Sequence, residues 1–279
     1  MKSFSLRLLS VLLITSSVAK AQNNGELSFG AGIASYYGDL MEGNHAFFSQ
    51  PSYAFSVGGQ YYFSSQFSLR GDFSVLKVGA ADSKNKRADL KARNLSFKSG
   101  MWELSAEAQY DILDVNSGER KFAPYVFGGI GVFHFNPYTT DRNGNKVYLQ
   151  GMGTEGQGLS IYPDRKPYKK TQFNLPFGIG MKYVLNDRMA LGLEFKYRYI
   201  FTDYLDDVSV NTYPDYNALY AKNPNLPGLT YRGDELPGGA SYPKNSLLPR
   251  GNPNNNDSYY SVQARIIWRL NSSKVQINY

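Results

Sequence analysis

Eight separate segments of this chain alternate apolar and polar residues, and the connectors between them alternate long and short. Period-two alternation specifies β-strands, because side chains two apart share one face of a pleated ribbon, whereas a helix brings together residues three and four apart. The segments run 26–36, 53–63, 67–79, 99–113, 122–136, 172–185, 189–201 and 258–270. In the seventh, Met189, Leu191, Leu193, Phe195, Tyr197, Tyr199 and Phe201 share a face opposite Glu194, Lys196 and Arg198. The fourth sets Trp102, Leu104, Ala106, Ala108, Tyr110 and Ile112 against Glu103, Ser105, Glu107, Gln109 and Asp111. The eighth sets Val262, Ala264, Ile266, Trp268 and Leu270 against Gln263, Arg265 and Arg269.

A soluble lipocalin-like barrel shares this alternation, with the apolar face turned inward, but its loop lengths need not alternate. Here connectors 64–66, 114–121 and 186–188 are short, and 37–52, 80–98, 137–171 and 202–257 are long. Long loops at one end and short turns at the other are the pattern of an outer-membrane barrel. Each segment also supplies the roughly 9–11 residues that a tilted strand needs to cross a bilayer. The expected fold is all-β: an eight-stranded antiparallel transmembrane β-barrel with long extracellular loops, short periplasmic turns and both termini periplasmic.

Residues 1–21 read as a secretory signal peptide: Lys2 and Arg7, an apolar run from Leu8 to Ile14, and Ala19-Lys20-Ala21 as the cleavage site. The apolar run is far short of the roughly 20 residues of a membrane anchor. Without that segment the domain spans 22–279, with 27 basic against 23 acidic residues and a net charge of +4. Such a mild excess gives no reason to expect nucleic acid as a partner. The sequence has no cysteine, so it can form no disulfide and offers no thiol nucleophile. It is rich in aromatics (23 Tyr and 17 Phe), yet after the signal no apolar stretch is long enough for a membrane helix. The last long loop, 202–257, carries seven prolines from Pro214 to Pro253 and the asparagine-rich run 252–256. Prolines exclude it from a sheet, so it need not have a core, and mobility is expected, at least at its tip.

With the apolar faces toward lipid, Arg70, Lys182, Lys196, Arg198, Arg265 and Arg269 point inward together with Asp72, Glu103, Glu107, Asp111 and Glu194. Eight strands leave an interior just wide enough for side chains to fill, so a cross-barrel ion-pair network is expected in preference to an ion-selective channel. The lipid-facing girdle is assigned to Trp102, Tyr110, Phe195, Tyr197, Tyr199 and Trp268. Glycines 30, 32, 58, 59, 128, 129, 131, 178 and 180 fall within strands, where they permit tight coiling and leave room for neighbouring side chains.

Catalytic residues are sparse, and none is assigned. A rim-sited pairing of His134 with Asp203, Asp206 or Asp207 is conceivable, but a lone strand histidine is usually structural. No nucleophile elbow or phosphate-binding loop is present. The three aspartates lack calcium-loop spacing and read as a solvated turn, so neither metal nor cofactor is expected. The basic groups in 84–93 (Lys84, Lys86, Arg87, Lys91, Arg93) and 165–170 (Arg165, Lys166, Lys169, Lys170) read as solvated loop tips able to meet lipopolysaccharide phosphates.

Several blocks resemble the PorG-type family of outer-membrane barrels associated with the type IX secretion system: RNLSFKS at 93–99, FAPYVFGGIGVFHFNP at 122–137, GTEGQG at 153–158, PFGIGMKY at 176–183 and FTDYLDDVS at 201–209. The resemblance implies a non-enzymatic outer-membrane component, with lipid around it and the periplasmic ring of the secretion and gliding machinery as its partner. It implies no small-molecule substrate and no catalytic residues. GTEGQG and FTDYLDDVS fall on the long-loop side, whereas a periplasmic partner reaches only the short turns, the residues from Gln22 and the tail 271–279. That tail is either a short extension or part of an assembly signal.

Overall fold

The computed structural model describes residues 24–41, 50–115, 120–243 and 249–270; the expected signal peptide and the tail 271–279 lie outside them. The strands are β1 (Gly25–Tyr37), β2 (Ser52–Tyr62), β3 (Phe67–Ala81), β4 (Ser96–Asp111), β5 (Phe122–Thr140), β6 (Lys146–Tyr148), β7 (Thr171–Asn186), β8 (Met189–Ile200) and β9 (Ser258–Arg269). All but β6 close into an antiparallel ring in the order β1-β2-β3-β4-β5-β7-β8-β9, with β9 returning to β1. The eight segments expected from alternation are these eight strands, to within a few residues. β4 starts three residues earlier than expected and β5 ends four residues later, because the two continue pairing above the barrel at Lys98↔Tyr138.

The barrel is inside-out relative to a soluble one. Along β4 every second residue is buried, and the exposed set includes Trp102, Leu104 and Tyr110. Ile130, Phe173 and Ile179 are 67%, 71% and 61% exposed, parts of a continuous apolar outer surface of the kind that lipid rather than water covers. The ten steps from Trp102 to Ile112, at roughly 3.3 Å each and tilted by about 40°, span about 25 Å, the height of a barrel's apolar band.

The interior is layered. From Glu103 toward the short-turn end it is charged. Toward the long-loop end it becomes apolar, with Leu76, Met101, Phe133, Phe135 and Ile200 buried together. Above that layer the long loops fold into a cap. Connector 82–95 holds α1 (Ala88–Arg93), and connector 201–257 holds α2 (Tyr216–Lys222) and α3 (Pro227–Thr230). Connector 202–257, which need not have had a core, does contribute one: Leu205, Val208, Leu219, Leu226 and Leu229 are buried. Its polar composition conceals local order: Asp215 caps α2 by accepting from the Ala218 amide at 2.8 Å, and Pro227 begins α3. Residues 244–248, near its tip, lie outside the described residues.

Candidate functional site

All eleven charged residues assigned to the lumen face inward, and they sort into three tiers. Midway along the barrel, Arg70 donates to Glu107 at 2.6 Å and Glu194 at 2.6 Å. Lys196 lies 3.2 Å from Asp72 and 2.8 Å from Glu107, and Arg265 binds Asp72 at 2.6 Å and Glu194 at 3.2 Å. The Arg70 guanidinium also covers the Phe127 ring at 4.0 Å. Toward the loops, Arg198 donates to Glu103 at 3.1 Å, and Tyr259 and Asn174 complete that carboxylate at 2.5 and 3.1 Å. Toward the turns, Lys182 binds Asp111 at 3.0 Å and Tyr62, and Arg269 meets Glu26 at 3.2 Å. Glu26 was missed by sequence reasoning. It sits at the very start of β1, yet it shares the inward parity of Ser28 and Gly30. With it, among the described residues, the lumen holds six cations and six carboxylates, the balance a low-dielectric interior requires.

Inward glycines face the bulkiest of these groups. Gly58 is the register partner of Asp72, and Gly180 that of Glu194. A Cβ on Gly58 would collide with the Asp72 carboxylate, and one on Gly180 with the Tyr125 ring. Gly59, one residue along, faces outward and is free of such contact.

In the cap the two loop blocks meet. GTEGQG turns tightly, with Gly153, Gly156 and Gly158 at φ of +71°, +83° and +78°, values that glycine adopts without strain. The turn presents Thr154 and Glu155 to FTDYLDDVS. Thr154 donates to Asp207, and Glu155 accepts from the Ser209 and Val210 amides at 2.9 and 3.1 Å. Arg250 closes on Glu155 and on the Asp207 carbonyl, the latter at 3.2 Å. Tyr168 donates to Asp207 at 2.7 Å. Tyr36, at the top of β1, reaches both Asp206 at 2.5 Å and Asp257 at 2.9 Å. Asn94 ends α1 in the left-handed region at φ +59°. The preceding Arg93 is buried and forms a two-pronged pair with Asp82 at 2.7 and 2.8 Å.

Burial sets the protonation of this cap. Burial, then the Asp206 and Asp39 carboxylates, push Asp203 up to about 9. Burial outweighs the nearby Arg250 and raises Asp207 to about 7. Burial also holds Asp206 and Asp257 well above the usual carboxylate range, as does Asp39 beside Asp206 and Asp206 beside Asp257. A carboxyl that retains its proton can share hydrogen bonds with its neighbours instead of repelling them.

Two sequence expectations are corrected here, and the pairing of His134 with the loop aspartates does not form. Asp203, Asp206 and Asp207 do not form a solvated turn; they are 7%, 1% and 1% exposed, because the loop folds its acids inward over the barrel mouth. His134 is on the outer wall, stacked on Trp102 at 5.8 Å and bonded to Thr171 at 3.0 Å, so the barrel wall separates it from those aspartates. Two of the basic loop groups are structural rather than solvated: Arg93 as above, and Arg165, which donates to the Glu155 carbonyl at 2.7 Å and to Thr212 at 2.9 Å. Among the described residues no three His, Asp or Glu side chains are arranged to hold a metal ion.

The girdle residues all face outward. Trp102 and Tyr199 lie toward the loops, Tyr110 and Trp268 toward the turns, and all four are exposed. Phe195 and Tyr197 are half-covered by Tyr260 and Phe177, at 6.0 and 5.2 Å. Phe195 lies at mid-strand rather than at a rim.

An apolar exterior around a charged, packed interior defines a membrane-spanning β-barrel. The chain belongs to the family described as Domain of unknown function (DUF6089), whose model matches residues 5–226. No curated protein matches it. Among solved structures it is similar to Neisserial surface protein A (NspA), at 11% identity over 88% of this chain and 96% of that one, with a TM-score of 0.44. It is similar to a major outer membrane protein from Thermus thermophilus, at 12% identity over 87% and 99%, with a TM-score of 0.41. Ail, the attachment invasion locus protein of Yersinia pestis, matches at 8% identity over 88% and 97%, with a TM-score of 0.40.

Proposed function

We propose that the protein is a non-enzymatic outer-membrane barrel that anchors or helps assemble the type IX protein secretion and gliding machinery. Its short turns and both termini face the periplasm and contact the machinery's periplasmic ring. The observation that carries this reading is the filled lumen. Three tiers of ion pairs, an apolar layer and a loop cap occupy the axis in turn, which disfavours solute passage and leaves the outer surfaces to do the work. The five sequence blocks supply the secretion assignment, and two of them, GTEGQG and FTDYLDDVS, interlock in the cap. Crosslinking in intact envelopes followed by purification of the barrel tests the reading: periplasmic ring proteins should be recovered with it. Their absence, with the barrel present in the outer-membrane fraction, contradicts it.

One observation favours a second reading, a surface adhesin. Tyr216 and Tyr220 stack at 6.0 Å and stand 42% and 51% exposed on the folded cap. Deleting 214–256 would then abolish surface binding, whereas the ring reading predicts unchanged crosslinks.

A further inference from the structure

Above the lipid-facing band, the outer wall carries a basic notch built by the strand register. On β3 and β4 the outward positions pair as Lys77↔Gly100 and Gly79↔Lys98, so two lysines sit on one diagonal and two glycines on the other. Gly79 lets the two strands approach closely, and Gly100 leaves the wall low beside Lys77. A Cβ on Gly79 would press on the Phe97 carbonyl at 2.6 Å and the Lys98 stem at 3.1 Å, whereas Gly100 borders open space. Tyr138 on β5, the register partner of Lys98, and Lys84, just beyond β3, line one pocket with them. This pocket of about 520 Å³ is lined by Lys77, Lys84 and Lys98 and by no acid. Lys146 adds a fourth cation at the rim, 3.9 Å from the Tyr138 ring. Asp82, the acid nearest Lys84 in sequence, is buried and committed to Arg93 and the Leu95 amide. Among the described residues none of these lysines has a carboxylate within salt-bridge distance. Below the notch the same wall continues as Val75, Phe73 and Trp102, which are 44%, 43% and 40% exposed.

We infer that this notch binds the phosphorylated headgroup of a membrane glycolipid, whose acyl chains run down the apolar wall beneath it. Clustered ammonium groups without counter-charges attract phosphate oxygens, and a position at the top of the lipid-facing band selects a lipid over a soluble anion. The inference rests on the membrane-spanning reading but not on the secretion role, so the envelope crosslinking result leaves it standing or falling independently.

Native mass spectrometry of the full-length protein in detergent tests it with three probes: diphosphorylated lipid A, the same glycolipid without phosphates, and its deacylated disaccharide bisphosphate. Lipid A should bind tightest. The double variant Lys77→Gln/Lys98→Gln should weaken it about thirtyfold, and Lys77→Arg/Lys98→Arg should retain it. If the double variant fails to fold, Lys84→Gln on the exposed turn should still weaken binding about fivefold. Equal binding of the dephosphorylated glycolipid, or lysine variants that match the wild type, overturns the inference. Disaccharide bisphosphate binding as tightly as lipid A assigns the notch to a soluble phosphosugar and overturns the lipid source.

Discussion

Glu26 and Arg269 are register partners across the seam where the first strand meets the last, and Arg269 Nε donates to Glu26 Oε1 at 3.2 Å. The chain thus closes its barrel with a charge pair. Glu26 also stands 3.8 Å from Lys182 and accepts from Tyr62 at 3.4 Å, which joins the seam to the turn-end tier.

The position of each pair in the barrel sets what its loss costs. Glu194→Gln strips the central tier of a carboxylate shared by Arg70 and Arg265, and should destabilise the barrel by about 3–5 kcal/mol. Glu26→Gln, beside the partly exposed Arg269, should cost less, about 1–2 kcal/mol. Urea unfolding in lipid vesicles, followed by the mobility shift of folded barrels in gels, gives both values. Equal costs would contradict a graded lumen.

Neighbouring glycines should respond in opposite senses. Gly58→Ala drives a methyl group into Asp72 and the Gly71 carbonyl, and should cost about 1–3 kcal/mol. Gly59→Ala meets only the Leu27 side chain at 3.8 Å, and should be neutral or stabilising by about 0.5 kcal/mol. The same unfolding assay compares them directly.

The filled lumen makes an electrical prediction. In planar bilayers the wild-type barrel should show no steady conductance, and Arg198→Ala with Glu103→Ala should not open one, since the apolar layer and cap remain above them. Stable single-channel steps in the wild type would refute the packed interior.

The cap should loosen as pH rises. Well below about pH 4, Asp203 and Asp207 are protonated whether the loop is folded or not, so folding exchanges no proton at them. Above that, the unfolded loop releases protons that the cap retains, up to about 7 at Asp207 and about 9 at Asp203. Cap stability therefore falls across this window. Hydrogen-exchange protection of residues 201–210, corrected for intrinsic rates, should drop between about pH 5 and about pH 9. Asp203→Asn should flatten the profile, and protection that rises with pH would reverse the assignment.

Much of this structure is visible in alternation alone. The parity of Glu103, Glu107 and Asp111 on β4, and of Glu194, Lys196 and Arg198 on β8, places them inward before any contact is known, because strand geometry leaves only two faces. Glu26 escaped notice for want of flanking charges on β1. The cap was illegible for a different reason. Its carboxylates are buried by contacts between loops far apart in sequence, such as Glu155 with Arg250 and Asp206 with Tyr36, and no periodicity records those. Pro and Asn in 202–257 exclude a sheet without excluding a folded lid. The notch was largely hidden: of its lysines only Lys84 stands in a basic cluster of the sequence, and the diagonal of Lys77 and Lys98 exists only once β3 and β4 are in register.

The central claim is that the alternate apolar residues touch lipid while their neighbours line a closed interior. Because the chain has no cysteine, single cysteines placed in turn along β8 from Met189 to Ile200 can each carry a spin label without background. Oxygen accessibility in reconstituted bilayers should oscillate with period two, high at Leu191, Leu193, Phe195, Tyr197 and Tyr199 and low between them. High accessibility to a water-soluble nickel complex at those odd positions, with oxygen no higher there than at the even ones, would contradict the account.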